Sequence, residues 1–181
     1  MIKKHFRNYG MIRPTILLTT LFFLALAIIH ADVCFAKASN DTSLECDKEI
    51  AKTIVHATAS GLREVLKDVK TEDKRIALIR AFISPMRFYR DNSGYFYAYD
   101  FNGVNIVLAT QKDLQGKNLY DHKDAKGKYV IRELIAAAKK GGGFVEYYWL
   151  KPGVKDEQKK LGYVESIPGT NYFIGTGVYL P

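Results

Sequence analysis

Histidine, cysteine and long apolar runs are all scarce in this chain of 181 residues, and each shortage removes a class of function. Of the four histidines, only His56 and His122 lie beyond the N-terminal segment. They are far apart, with no His-x-x-x-His pair and no Gly-x-Ser-x-Gly elbow, so neither a metal centre nor a nucleophile with its base is visible. No catalytic residue, metal ligand or cofactor site is therefore nominated. Cysteine occurs twice, as Cys34 and Cys46, without the Cys-x-x-Cys-His run of a c-type haem. Asp121 and Asp124 fit a loop turn and helix capping better than an ion site. Internal repeats and low-complexity linkers are missing as well.

The one long apolar run is short for a membrane span. Thr15 to Ile29 is 15 residues, below the roughly 18 to 20 that cross a bilayer core, and His30 and Asp32 interrupt its continuation. Lys3, Lys4, Arg7 and Arg13 precede it and Ala36-Lys37-Ala38 follows, which is the pattern of an export signal cleaved near Ala38. The expected division is 1–38 as signal peptide and 39–181 as one domain, helical over 39–84 and sheet-forming over 85–181. An uncleaved membrane anchor is the alternative. Cleavage takes five of the 27 Lys and Arg and one of the 19 Asp and Glu, so the net charge falls from +8 to +4. The remaining charges are dispersed and form no basic stripe among exposed aromatics, so nucleic acid is not an expected partner. Cys46 is then the only cysteine left, which rules out an intrachain disulfide.

What the chain has in quantity is aromatic residues in strand patterns. Gly94 to Asp100 (GYFYAYD) and Val104 to Thr110 (VNIVLAT) flank Asn102-Gly103, a strong hairpin signal. Lys128 to Lys140 sets Val130, Ile131, Leu134, Ile135 and Ala138 on one helical face before Gly141-Gly142-Gly143. Three more strands follow, Phe144 to Leu150, Lys160 to Ser166 and Asn171 to Leu180, punctuated by Pro152-Gly153 and Pro168-Gly169. Upstream, Ile50, Ile54, Ala57, Leu62, Val65, Leu66 and Val69 suggest one long amphipathic helix from about Leu44 to Lys70. Thr71 is placed to cap a second, with Glu72 and Asp73 in its first turn, ending at Ser84-Pro85.

Several segments resemble, in order, those of the single Cache domain family: Pro85 to Phe96 (PMRFYRDNSGYF), the hairpin Gly103, Gln115 to Asp121 (QGKNLYD), Asp124 to Leu134 (DAKGKYVIREL), Gly142 to Gly153 (GGFVEYYWLKPG), Lys159 to Glu165 (KKLGYVE) and Phe173 to Leu180 (FIGTGVYL). The resemblance implies an extracytoplasmic, PAS-like ligand-binding domain of the kind found in bacterial chemoreceptors and sensor kinases. Its fold class is α+β: a five-stranded antiparallel sheet with a long N-terminal helix on one face and a helix-bearing insert on the other. One departure stands out. Many relatives carry His-Pro or Asp-Arg-Pro after the second strand, where this chain has Ala109-Thr110-Gln111-Lys112.

Alternation puts Tyr95, Tyr97 and Tyr99 on one face, and Val145, Tyr147 and Trp149 on one face of the third strand. The resemblance places the ligand under the insert. The expected binding residues are Arg87, Tyr95, Tyr97, Thr110, Tyr147, Trp149 and Lys160, with Arg87 and Lys160 as the cations. Arg87 offers a planar fork for a carboxylate, although a structural pair with Asp91 or Asp100 accounts for it equally well. Gly175 and Gly177 share a face of the last strand, and the packed N-terminal helix is the expected neighbour there. The expectation is a non-catalytic periplasmic or secreted sensor of a small organic anion, a short carboxylate. Its signal would pass by contact to a sensor kinase, chemoreceptor or transporter component. A protein-interaction module with a vestigial pocket and a membrane-anchored sensor subunit are the other readings.

Overall fold

A computed structural model describes residues 43–180; the predicted export segment lies outside them. Helix α1 runs over 43–66 and α2 over Glu72–Ile83. Thr71 holds the N-cap position of α2 without a side-chain cap bond, so the acidic first turn of Glu72 and Asp73 is what suits that helix end. The helix stops where the Ser84 N–H closes on the Arg80 carbonyl, one residue before Pro85.

Five strands follow: β1 (Tyr97–Asp100), β2 (Asn105–Leu108), β3 (Gly143–Leu150), β4 (Glu157–Ser166) and β5 (Tyr172–Tyr179). They form one antiparallel sheet in the order β2-β1-β5-β4-β3. At the β1–β2 turn, the Asp100 carboxylate accepts from the N–H groups of Asn102 (2.9 Å) and Val104 (2.8 Å), while Gly103 takes a φ of 91°. The predicted start at Gly94 is too early. Gly94 instead bridges to Phe88, and the strand begins at Tyr97.

Each face of the sheet carries its own core. On one side Ala51, Val55, Ala59, Leu62 and Leu66 of α1 and Ile79 and Ile83 of α2 pack on Ala98, Ile106, Tyr163, Tyr172 and Ile174. The stripe of α1 is therefore rotated from the expected one: Ile50 is 39% and Val65 51% exposed, and alanines take the sheet-facing positions. On the other side the segment between β2 and β3 crosses the sheet. It contains a 3₁₀ turn (Lys112–Leu114) and helix α3 (Val130–Lys139). The five apolar residues expected on one face of α3 are all buried.

Asp124, 6% exposed, ties this insert to the sheet. Its carboxylate accepts from the N–H groups of Lys126, Lys128 and Tyr148, each at 2.9 Å. Burial alone would raise its pKa, but the three N–H donors and the nearby Lys128 charge outweigh it and hold the pKa below the usual carboxylate value. Asp121 pairs with Arg132, whose guanidinium lies 3.9 Å from the centre of the Tyr129 ring.

Candidate ligand-binding site

The insert-facing side of the sheet is not completely filled. A narrow cavity of about 10 Å³ lies between the sheet and α3. Its walls are Tyr95, Tyr97 and Tyr99, Leu108, Tyr147 and Trp149, with Val130, Ile131 and Leu134 of α3 above and Lys160 at one end. The floor is made by glycine. A Cβ built on Gly162 would lie 2.7 Å from the Tyr147 ring and 2.9 Å from the Tyr97 hydroxyl; one on Gly175 would lie 2.7 Å from the Tyr97 ring. Gly177 leaves the same clearance for Lys160, whose Cε would sit 2.9 Å from such a Cβ. Three missing side chains on β4 and β5 thus let two tyrosines and a lysine lie flat across the sheet.

This corrects the expectation for Gly175 and Gly177. They face the cavity, not the N-terminal helix, because β5 alternates with Phe173 and Tyr179 on the insert side and Tyr172 and Ile174 on the helix side.

Lys160 is 1% exposed, and no acidic side chain pairs with it among the described residues. Its ammonium lies over aromatic faces instead: 4.1 Å from the Tyr95 ring centre, 4.8 Å from Tyr179 and 5.5 Å from Tyr97. Burial pulls the Lys160 pKa below its ordinary value, with the Tyr95 hydroxyl offsetting part of the effect. For Tyr95 burial raises the pKa, but the Lys160 charge and the bond to Tyr179 reverse the sign, so the phenol ionises more readily than usual. The Tyr95 and Tyr179 hydroxyls are 3.1 Å apart, and Tyr179 donates to the Leu150 carbonyl at 2.8 Å.

The central tyrosines behave differently. Tyr147 donates to the Tyr97 hydroxyl at 3.3 Å, and burial pushes the pKa of Tyr97, Tyr99 and Tyr147 upward, so all three remain neutral phenols. At the rim the Trp149 indole N–H donates to Gln111 Oε1 at 3.0 Å, and the His122 ring meets its edge at 5.1 Å. Thr110 sits beside Tyr95, close enough to favour the phenolate, yet its buried hydroxyl is left without a hydrogen-bond partner.

The structure thus brings together Tyr95, Tyr97, Tyr147, Trp149 and Lys160 around one cavity, with Thr110 adjoining. Arg87 is elsewhere. It is exposed and donates to the carbonyls of Ser84 (2.9 Å) and Met86 (2.7 Å). Neither expected acid is its partner: Asp91 pairs with Lys151 at 3.1 Å, and Asp100 caps the hairpin. Two contributors were missed from sequence. Tyr179 could have been found from its two-residue spacing with Gly177 and Gly175; Gln111 carries no local signal, since its role depends on Trp149, 38 residues away.

The Cache domain family matches residues 30–181. The chain belongs to the Cache domain family. Residues here are 41% identical over 102 positions to the sensor histidine kinase MctS of Rhizobium johnstonii, covering 56% of this chain and 22% of that protein. The chemotaxis protein McpP of Pseudomonas putida is 27% identical over 169 residues, 91% of this chain and 29% of its own length. This Cache chain therefore spans less than a third of either relative. Among solved structures, a methyl-accepting chemotaxis protein from Vibrio parahaemolyticus superposes with a TM-score of 0.67 at 34% identity, covering 77% of this chain and 92% of that one. A Cache chemosensory domain studied for carboxylic acid recognition superposes with a TM-score of 0.68 at 28% identity, over 78% and 98%.

Proposed function

We propose that this Cache domain is a non-catalytic, extracytoplasmic sensor of a short carboxylate carrying a single negative charge. The observation that carries the reading is Lys160: a buried cation without an acidic partner among the described residues, at the end of an aromatic cavity. An uncompensated buried charge is expensive, and an anion entering from solvent relieves it. With one cation and no acidic residue in the lining, the cavity suits one carboxylate and gives a ligand ammonium group no carboxylate to pair with. Its volume of about 10 Å³ is room for about one water, so the lining side chains must shift to admit a ligand and a small carboxylate is favoured. Lys160 and the Tyr95 hydroxyl take the carboxylate, Thr110 adds a hydroxyl, and Leu108, Val130, Ile131 and Leu134 receive the tail.

The relatives support a sensory role. MctS and McpP are a sensor kinase and a chemotaxis protein, and one structural neighbour recognises carboxylic acids. The signal would then pass to a kinase or chemoreceptor, with the domain on the outer side of the membrane. Calorimetric titration of the purified full chain with acetate, propionate, lactate, pyruvate, succinate and alanine tests the ligand class. One or more monocarboxylates should bind while succinate and alanine do not. Tight succinate or alanine binding would overturn the assignment, as would failure of every monocarboxylate.

A further inference from the structure

A lysine that waits for its counter-ion raises the question of what enters with that ion. The groups facing Lys160 can be counted element by element. The segment before β1 contributes Tyr95, β1 contributes Tyr97 and Tyr99, the corner after β2 contributes Thr110, and β3 contributes Tyr147 and Trp149. Helix α3 contributes only Val130, Ile131 and Leu134, and β5 contributes Tyr179. Further out, Lys151 lies 5.7 Å from the Tyr179 ring centre and pairs with Asp91, and His122 stands against the Trp149 ring. No carboxylate lines the cavity itself.

Without an anion the uncompensated ammonium of Lys160 is costly, so the pair it forms with Tyr95 sheds a proton more readily than either group would in water, and above that pH the cavity is neutral. Lys160 and Tyr95 reach neutrality in two ways, as amine with phenol or as ammonium with phenolate. Both arrangements hold the same number of protons. A carboxylate entering this space adds one negative charge and is balanced only when the pair is ammonium with phenol, which holds one proton more. Resting on the carboxylate reading above, we propose that the cavity binds its carboxylate together with one proton, which the Lys160–Tyr95 pair takes from solvent. Above the pair's own titration the domain then reports the product of anion and proton concentrations, and alkaline surroundings silence it. The lowered ionisation of Lys160 and the readier ionisation of Tyr95 agree with a pair that loses its extra proton below the pH at which free lysine does.

Calorimetry of the full chain with acetate, propionate and pyruvate, repeated at pH 9 in buffers of different ionisation enthalpy, measures the proton count. All three ligands are fully ionised there, so any proton taken up goes to the protein. The expected slope is on the order of one proton per ligand, with affinity falling by up to about tenfold per pH unit above the pair's own titration. Binding with buffer-independent heats and a flat affinity from pH 7 to 10 would overturn the proposal and leave the carboxylate site standing. Failure of all three ligands to bind at any pH would overturn both. A ligand-free measurement adds a second arm through Lys160→Met. Folded Lys160 gives up its proton before unfolded lysine does, at about 10.4, so wild-type stability should rise with pH across that window. Lys160→Met should lack this rise, and identical pH dependence of the two proteins would overturn the proposal.

Discussion

Moving an ammonium group from water into a wall of phenol rings costs several kcal/mol, and ring faces 4.1 and 4.8 Å from the Lys160 nitrogen return only part of it. The rest of that cost is what an anion relieves, and the geometry that maintains it lies in the glycines beneath. Gly162→Ala puts a methyl group within 2.9 Å of Tyr147 and Tyr97, two walls of the cavity whose ring ends must then shift. We expect a folded protein destabilised by about 1 to 3 kcal/mol in urea, with carboxylate binding lost. Gly175→Ala should cost more, because its methyl also meets the Tyr163 carbonyl at 2.7 Å and backbone does not yield as a ring does. Equal stability for the two variants would show that the floor is softer than these contacts imply. Arg87 makes the opposite case. Its bonds go to the Ser84 and Met86 carbonyls in an exposed loop, so Arg87→Ala should leave carboxylate affinity within about twofold and cost under about 1 kcal/mol. A tenfold loss of affinity in titration would return it to the site.

Among the elements, α3 was legible because its buried face uses large residues at helical spacing, and Val130, Ile131, Leu134, Ile135 and Ala138 all lie where that spacing puts them. Helix α1 was read at the wrong rotation. Bulk hydrophobicity drew attention to Ile50 and Val65, whereas Ala51 and Ala59 face the sheet beside Val55, Leu62 and Leu66. Strand parity had the same weakness: Gly175 and Gly177 were grouped on one face correctly, but nothing local said which face. Lys160, one of the two expected cations, has Lys159 as its neighbour, and only the pairing of β4 with β5 shows which of the two points inward; Lys159 reaches Glu146 at 2.9 Å. The insert is held by a contact that sequence spacing did show in part. Asp124 gathers two N–H groups of its own loop, as expected of a turn, and a third from Tyr148 on β3. Asp124→Asn turns an acceptor into a donor opposite one of these groups, and should cost about 2 to 3 kcal/mol at pH 7. The folded pKa is depressed, so this stabilisation is present above the unfolded value of about 3.9 and is lost as pH falls through the lower folded value. The gap between wild type and Asp124→Asn should therefore close in urea titrations taken toward pH 2. A gap that persists there would mean that shape rather than charge holds the loop.

At the scale of the described domain, one sheet separates two layers with different tasks: α1 and α2 pack densely on one side, and the insert encloses a cavity on the other. The layers share strands. On β5, Tyr172 and Ile174 belong to the helix side and Phe173 to the insert side, while on β4 Tyr163 and Val164 divide in the same way. Neither core can be lost without removing alternate residues from the other, so the domain should melt in a single transition although its ligand touches one layer only. A carboxylate at about 100 times its Kd adds roughly 2.7 kcal/mol to the folded state. For a domain of this size that corresponds to a Tm increase of about 10 °C. Trp149, the only tryptophan, lines the cavity with its indole N–H on Gln111, so its emission should change on titration with the same Kd as the calorimetric one. Scanning calorimetry with and without ligand decides the matter. One peak moving as a whole is the expected result. Two peaks of which only one shifts would mean that the shared strands do not couple the layers, and that occupation of the cavity reaches the helices by some other route.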